Sequence, residues 1–233
     1  MEGTVKDRVA RVLERVDRAA ARSGRSPRSI RLVAVSKTHP VERVAEAYAA
    51  GLRVFGENYV QEAEEKVRAF PDAEWHLIGR LQSNKARKAA SLFGWVQSVD
   101  SLRLLAELSR CCAEAGKTLP VLIEVNLAGE ESKAGVSPGD LPALLSSAAA
   151  LRGVRIRGLM AIPPMMEDPE ESRPYFVRLR ELLGRCASLE GAAGELTELS
   201  MGMSNDFEAA IEEGATMVRV GTAIFGSRAR RAG

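Results

Sequence analysis

The chain is poor in the residues that build metal centres and disulfide frameworks, with 3 cysteines and 2 histidines in 233 residues. Cys111 and Cys112 are neighbours on a predicted helix and Cys186 stands apart, a spacing that matches neither a zinc site nor a redox pair. A small, odd cysteine count suits free thiols in a reducing compartment. Aromatic residues make up 5% of the chain, and 33 basic residues against 31 acidic ones leave a net charge of +2. That balance gives no electrostatic reason to expect a nucleic-acid partner; only the tail "SRARRAG" is locally basic. No apolar run reaches the length of a membrane span. The opening "MEGTVKDRVARVLERV" is charged and lacks the apolar centre of a secretion signal. The expectations are a cytoplasmic location, no membrane, no metal and no nucleic acid.

What is present is an ordinary globular composition, 45% hydrophobic and 27% charged. Val5, Val9, Val12, Leu13 and Val16 recur at helical spacing and predict an N-terminal helix. Eight strand candidates follow, at 30–37, 53–58, 74–79, 95–100, 120–126, 155–162, 197–203 and 217–226. Amphipathic stretches fill the gaps, and those ending at Gly51, Gly116 and Gly214 carry the usual helix stop. Strands alternating with helices imply a parallel sheet covered by helices. Eight units at this length favour a closed (β/α)8 TIM barrel, α/β in class, with an extra N-terminal helix; a doubly wound open sheet is the alternative. No linker or shift in composition divides residues 1–233, so one domain is expected.

In "LVAVSKTHP", alternation places Val33, Val35 and Lys37 on one strand face. If that face lines the barrel, Lys37 sits at the C-terminal mouth, where barrels of this kind carry their chemistry. Partial desolvation there favours the neutral amine, which attacks carbonyls. A lysine snorkelling from a strand end into solvent is the plainer reading.

Two further segments bear on that choice. In "MVRVGTAIFG", Gly221 and Thr222 follow an apolar strand and precede what reads as a short helical turn, a setting for an anion held by backbone N–H groups. In "LSMGMSNDFEAAI", Ser200 ends a strand, and Ser204 is placed to cap the next helix, with Asp206 and Glu208 in its first turn. Taken singly these are a turn glycine and an N-cap. Together they outline a phosphate cup across the mouth from Lys37, and an amine facing a phosphate cup suggests pyridoxal 5′-phosphate (PLP).

"LVAVSKTHP", "FGENYVQE", "WHLIGRLQSNK", "GLMAI" and "LSMGMSNDFEAAIEEGATMVRVGTAIFG" resemble, in this order from about residue 5 to 226, the pyridoxal phosphate homeostasis protein family. Its members are single barrels similar to the N-terminal domain of alanine racemase. The resemblance implies that Lys37 carries PLP as an internal aldimine and that the role is vitamin B6 and amino-acid homeostasis. It further implies a ring-side contact from Asn58, an apolar wall from Met160 and an arginine, Arg219, near the pyridine nitrogen. The structural alternatives are a loop asparagine, a core methionine and a salt bridge inside the mouth. Lys85 and Lys133 follow strands and either touch an anion or are solvated loop lysines; His39 reads as surface, and the facing of His76 is open.

Racemisation in the alanine racemase class needs a second acid/base, a tyrosine, and a cover, both from a separate domain. The chain ends just past its eighth strand, and Tyr48, Tyr59 and Tyr175 fall in predicted helices. The leading expectation is therefore a PLP carrier with no catalytic residues, a monomer that exchanges PLP with apoenzymes. A monomeric racemase or lyase using Lys37 as sole base, and a barrel for some other phosphorylated ligand, are the alternatives.

Overall fold

The apolar runs become parallel strands β1 (Arg31–Val35), β2 (Val54–Glu57), β3 (Glu74–Leu77), β4 (Trp95–Val99), β5 (Leu119–Glu124), β6 (Val154–Met160), β7 (Glu198–Ser200) and β8 (Met217–Val220). They pair in sequence order, and β8 returns to β1 through a register running from Arg31↔Met217 to Ala34↔Val220, which closes the barrel. Closure leaves no free sheet edge. Helix α1 (Val5–Arg22) precedes the barrel. Helices α2 (Val41–Ala49), α3 (Val60–Ala69), α4 (Ala86–Leu92), α5 (Leu102–Glu114), α6 (Leu141–Ala148), α7 (Arg173–Ala187) and α8 (Phe207–Glu212) each follow a strand, and the short α9 (Thr222–Phe225) follows β8. This is the α/β barrel with an added N-terminal helix that the alternation predicts. The structure, a computed structural model, describes residues 3–130, 134–188 and 196–226. Lys133 and the basic tail at 227–233 lie outside the described residues.

Local chemistry explains the element ends. Thr4 and Asp7 form a capping box at the start of α1, with Thr4 N–H on Asp7 Oδ2 at 2.9 Å and Asp7 N–H on Thr4 Oγ1 at 3.2 Å. Val5, Val9, Val12 and Val16 are buried, as the spacing requires, while Leu13 is 40% exposed. The buried face of α1 docks on α8 and α9. Arg15 pairs with Glu208 at 2.7 Å, and Arg8 Nε donates to the Ile224 carbonyl at 2.8 Å. The extra helix therefore braces the last unit of the barrel.

Two apolar layers result. The larger lies between strands and helices and includes Ala34, Phe55, Leu77 and Val96. Leu122, Met160 and Met217 form a smaller cluster inside the barrel, with Trp95 against it. Val33 and Ile78 meet over Gly56 elsewhere in the interior, which also buries the polar side chains of His76, Gln97, Ser200 and Arg219. The three cysteines are buried free thiols. Among the described residues no group of side chains is arranged to hold a metal ion, and no helix is long and apolar enough to cross a membrane.

Candidate functional site

β1 ends at Val35, two residues short of the predicted strand. Ser36 N–H still bonds the Gly56 carbonyl at 3.0 Å, but His39 N–H then turns back to the Ser36 carbonyl at 3.1 Å. Lys37 therefore sits half-buried in a tight turn at the barrel mouth rather than on the strand. Thr38 takes a left-handed φ of 65°, and its N–H is held by Glu62 Oε2 at 3.1 Å. His39, expected on the surface, stacks on Phe225 with ring centroids 5.0 Å apart, and Arg43 Nη2 donates to the Phe225 carbonyl at 2.9 Å. The lysine turn is thus tied to α9.

Behind the turn lies a buried ion pair that the sequence reading missed. Lys66 Nζ, from α3, donates to Glu57 Oε1 at 2.6 Å and to the Ser36 carbonyl at 2.8 Å, and Ser36 Oγ donates to the same carboxylate oxygen at 2.6 Å. Glu57 Oε2 is buried without a hydrogen-bond partner. Burial pushes the Glu57 carboxyl up, against the pull of Lys66 and Ser36.

β8 stops at Val220, because Gly221 turns the chain into α9. Ser204 does not cap α8. Asp206 occupies that position, and its Oδ1 accepts the Met203 N–H at 2.6 Å, closing the loop before the helix. Ser204 is thereby free to face α9 instead, where its Oγ accepts the Gly221 and Ala223 N–H groups at 3.2 and 3.3 Å. Thr222 is exposed at the first position of α9. Ser204, Gly221 and Ala223 thus come together, beside the Lys37 turn and not across the mouth from it. Barrel closure sets β8 next to β1, and a Cβ on Gly221 would touch Val35 at 3.4–3.5 Å.

Arg219 points into the barrel and is 4% exposed. Its hydrogen bonds go to neutral acceptors, Nη1 to Ser200 Oγ at 2.6 Å and Nη2 to the Ala161 carbonyl at 2.9 Å. Burial lowers its pKa to about 10, against the opposing pull of Glu124 and Asp206, so it is charged at neutral pH. Ser200 Oγ in turn donates to Gln97 Oε1 at 2.6 Å, so its hydroxyl is engaged behind the arginine. Gln97 Nε2 lies 2.6 Å from His76 Nδ1, and His76 Nε2 lies 2.6 Å from Glu74 Oε1. His76 is thus an interior residue, fully buried, and burial holds it below its ordinary pKa despite Glu74.

Met160 ends β6 in register with Ser200, fully buried. Asn58 follows β2 and is packed on Gly79, where a Cβ would strike the Asn58 backbone at 2.5–2.6 Å, so that position admits only glycine. Asn58 and Lys85 share the lining of a cavity of about 910 Å³ with Arg80, Asp100 and Arg103. That cavity opens on the β2–β4 side of the mouth, away from the cup.

The donor set fits a phosphorylated aldehyde: a half-buried amine, two backbone N–H groups with a hydroxyl, a buried guanidinium and a methionine wall. Residues 8–229 match the family described as alanine racemase, N-terminal domain. The chain is 48% identical to the pyridoxal phosphate homeostasis protein of Pseudomonas aeruginosa over 97% of this chain and 96% of that one. The chain belongs to the pyridoxal phosphate homeostasis protein family. The Escherichia coli K12 member is 45% identical, over 94% of this chain and 95% of its own. Among solved structures, PipY of Synechococcus elongatus with PLP bound aligns at a TM-score of 0.80 and 44% identity, covering 91% of this chain and 100% of that one. Alanine racemase of Corynebacterium glutamicum aligns at 0.71 with 18% identity, over 96% of this chain and 62% of its own, a likeness of fold. The homeostasis family shares the barrel of the racemase.

Proposed function

We propose that the chain binds PLP at the β8–β1 seam of the barrel mouth, attached covalently through Lys37, as a carrier in PLP and amino-acid homeostasis without a dedicated reaction of its own. The observation that carries this reading is the convergence of the Lys37 turn, the Ser204–Gly221–Ala223 cup and Arg219 on two neighbouring strands. The names of the relatives and the PLP-bound form of PipY support it. When bound, PLP supplies an aldehyde that bonds amines reversibly.

The chain's own groups divide the work. The Gly221 and Ala223 N–H groups, which donate to Ser204 Oγ in this structure, would turn from it to the phosphate, with the Ser204 hydroxyl donating beside them and Thr222 at the lip. Met160 offers the ring an apolar wall and Arg219 a fixed cation, anchored by Ser200, at the ring nitrogen; Asn58, on the β2–β4 side of the mouth, is not placed against a ring held at the β8–β1 seam. Because a guanidinium donates and never accepts, it leaves that nitrogen unprotonated and the ring a weak electron sink.

The tyrosines also favour holding over catalysis. Tyr48 packs on Phe70 beneath Arg53, Tyr175 lies within α7, and Tyr59 is 56% exposed at the start of α3. In this reading the protein works in the cytoplasm as a monomer and passes PLP to PLP-dependent apoenzymes.

The test is the visible spectrum of the purified chain with added PLP, followed by borohydride fixation and peptide mapping. Wild type should show a band absent from free PLP and a fixed adduct on Lys37, both lost in Lys37→Ala. Equal spectra for the two proteins would overturn the reading. Loss of optical rotation when the loaded protein meets an L-amino acid would replace the carrier with a racemase.

A further inference from the structure

We infer that Gln97 and Ser200 are positioning residues: through an interior hydrogen-bond chain that runs on to His76 and Glu74, they hold the Arg219 guanidinium in one place opposite the cofactor ring, a role that rests on the PLP reading above. The chain has four links of 2.6 Å each, from Arg219 Nη1 to Ser200 Oγ, Ser200 Oγ to Gln97 Oε1, Gln97 Nε2 to His76 Nδ1, and His76 Nε2 to Glu74 Oε1. Glu74 opens β3 and Arg219 lies near the end of β8, so the chain spans the barrel from its lower end to its mouth.

Its direction follows from the donors. An amide nitrogen only donates, so Gln97 Nε2 makes His76 Nδ1 an acceptor and leaves the imidazole proton on Nε2, given to Glu74. Gln97 Oε1 then takes the Ser200 proton, and the Ser200 oxygen takes the Arg219 N–H. Every proton points from the cation at the mouth to the carboxylate at the far end. Two consequences follow. Ser200 has no proton left to offer a phosphate, so it serves the site through Arg219. The guanidinium, bound at Nη1 here and at Nη2 by the Ala161 carbonyl, cannot swing away from the mouth.

The charges around the chain are few. His76 faces Glu74 on β3, Arg31 on β1 and Glu198 on β7, and stacks on Trp95 at 5.6 Å. Arg219 faces Glu124 on β5 and Asp206 ahead of α8.

Two measurements on the full chain test the inference. Nitrogen-15 NMR of the ligand-free protein should find His76 as the neutral Nε2–H tautomer; an Nδ1–H tautomer means the Gln97 amide is reversed, and the inference falls. With PLP loaded, the wild-type visible band should be flat across the neutral pH range. Gln97→Leu should still fix PLP on Lys37, with a band whose apparent pKa moves by at least about one pH unit into that range, because the ring nitrogen gains a proton once its cation is loose. Gln97→Glu keeps the acceptor for Ser200 and should restore the flat profile, which a purely structural role would not produce. Ser200→Ala gives the same readout should Gln97→Leu not fold. A Gln97→Leu profile superimposable on wild type would overturn the inference. If wild type shows no band with PLP, the PLP reading is what fails, and the His76 tautomer still decides the chain.

Discussion

Ser36, Glu57 and Lys66 form a polar network behind the barrel wall, and Glu74, His76, Gln97, Ser200 and Arg219 form another within it. The outer one is compact: the Lys66 ammonium and the Ser36 hydroxyl share one Glu57 oxygen, and the carbonyl of the same serine accepts from Lys66. The inner one separates its charges, with neutral links between the Arg219 cation and the Glu74 carboxylate. A closed pair fixes backbone, here the turn that carries Lys37. An extended chain fixes a side chain at a distance, and it lets a buried cation survive without a contacting anion. The two also differ in tolerance, since removing one partner of a buried pair strands a charge, whereas breaking one neutral link strands dipoles.

The sharpest way to break this comparison is Lys66→Met, which leaves the Glu57 carboxylate buried without its cation. A loss of about 3–5 kcal/mol in urea unfolding is expected, most of it recovered when Glu57→Leu is added. A loss that persists undiminished in the double variant would show that the pair does more than neutralise itself.

The next effect is set by pH and has opposite signs in the two networks. Burial holds His76 below its ordinary 6.5, so the unfolded chain protonates it first. Its contribution is present above about pH 6.5 and is lost as pH falls from there to its lowered value, by about 1.4 kcal/mol per pH unit. Glu57, raised by burial, takes up a proton more readily in the fold. Its contribution is present below the unfolded carboxyl value and is lost as pH rises through the raised one. The unfolding free energy of His76→Asn, followed from pH 7 to 5, should therefore have a shallower acid slope than wild type; an equal slope would mean His76 is already protonated in the fold. The smallest effect is the control. Arg110→Ala removes ion pairs with Glu107 and Glu114 on the exposed face of α5 and should leave the urea midpoint unchanged within repeat measurements.

Much of this was legible beforehand, and the failures have physical reasons. The strands are legible because short segments rich in apolar and β-branched residues, such as 32–35 and 121–123, alternate with helical patterns along the chain. The expected ends run too far at Lys37, although the polar cluster at 36–39 and Pro40 mark a turn there, and after Val220, where Gly221 opens a short helix. Lys66 receives no role from the sequence, although it stands three residues after Ala63 and six after Val60 on the buried stripe of α3. Gln97 was missed because the register between β4 and β5 slips between Val96 and Val99, so alternation along the strand does not reveal which way its side chain points. Lys37 and Gly221 stand out by residue type at strand ends, and Arg219 through the family resemblance. Their adjacency came only with closure, which no local pattern contains.

That adjacency bears on when the protein becomes competent. The lysine turn follows β1 near the start of the chain, while Arg219 and the Gly221 cup come with β8, close to its end. In the proposed reading, a chain in which β8 has not yet joined β1 carries the amine but neither the Gly221 turn nor the Arg219 cation beside it. Until the last strand is released and zipped against the first, an aldehyde meeting Lys37 finds an ordinary amine. In the proposed reading, the capacity to retain PLP therefore arises only with the closure of β8 on β1.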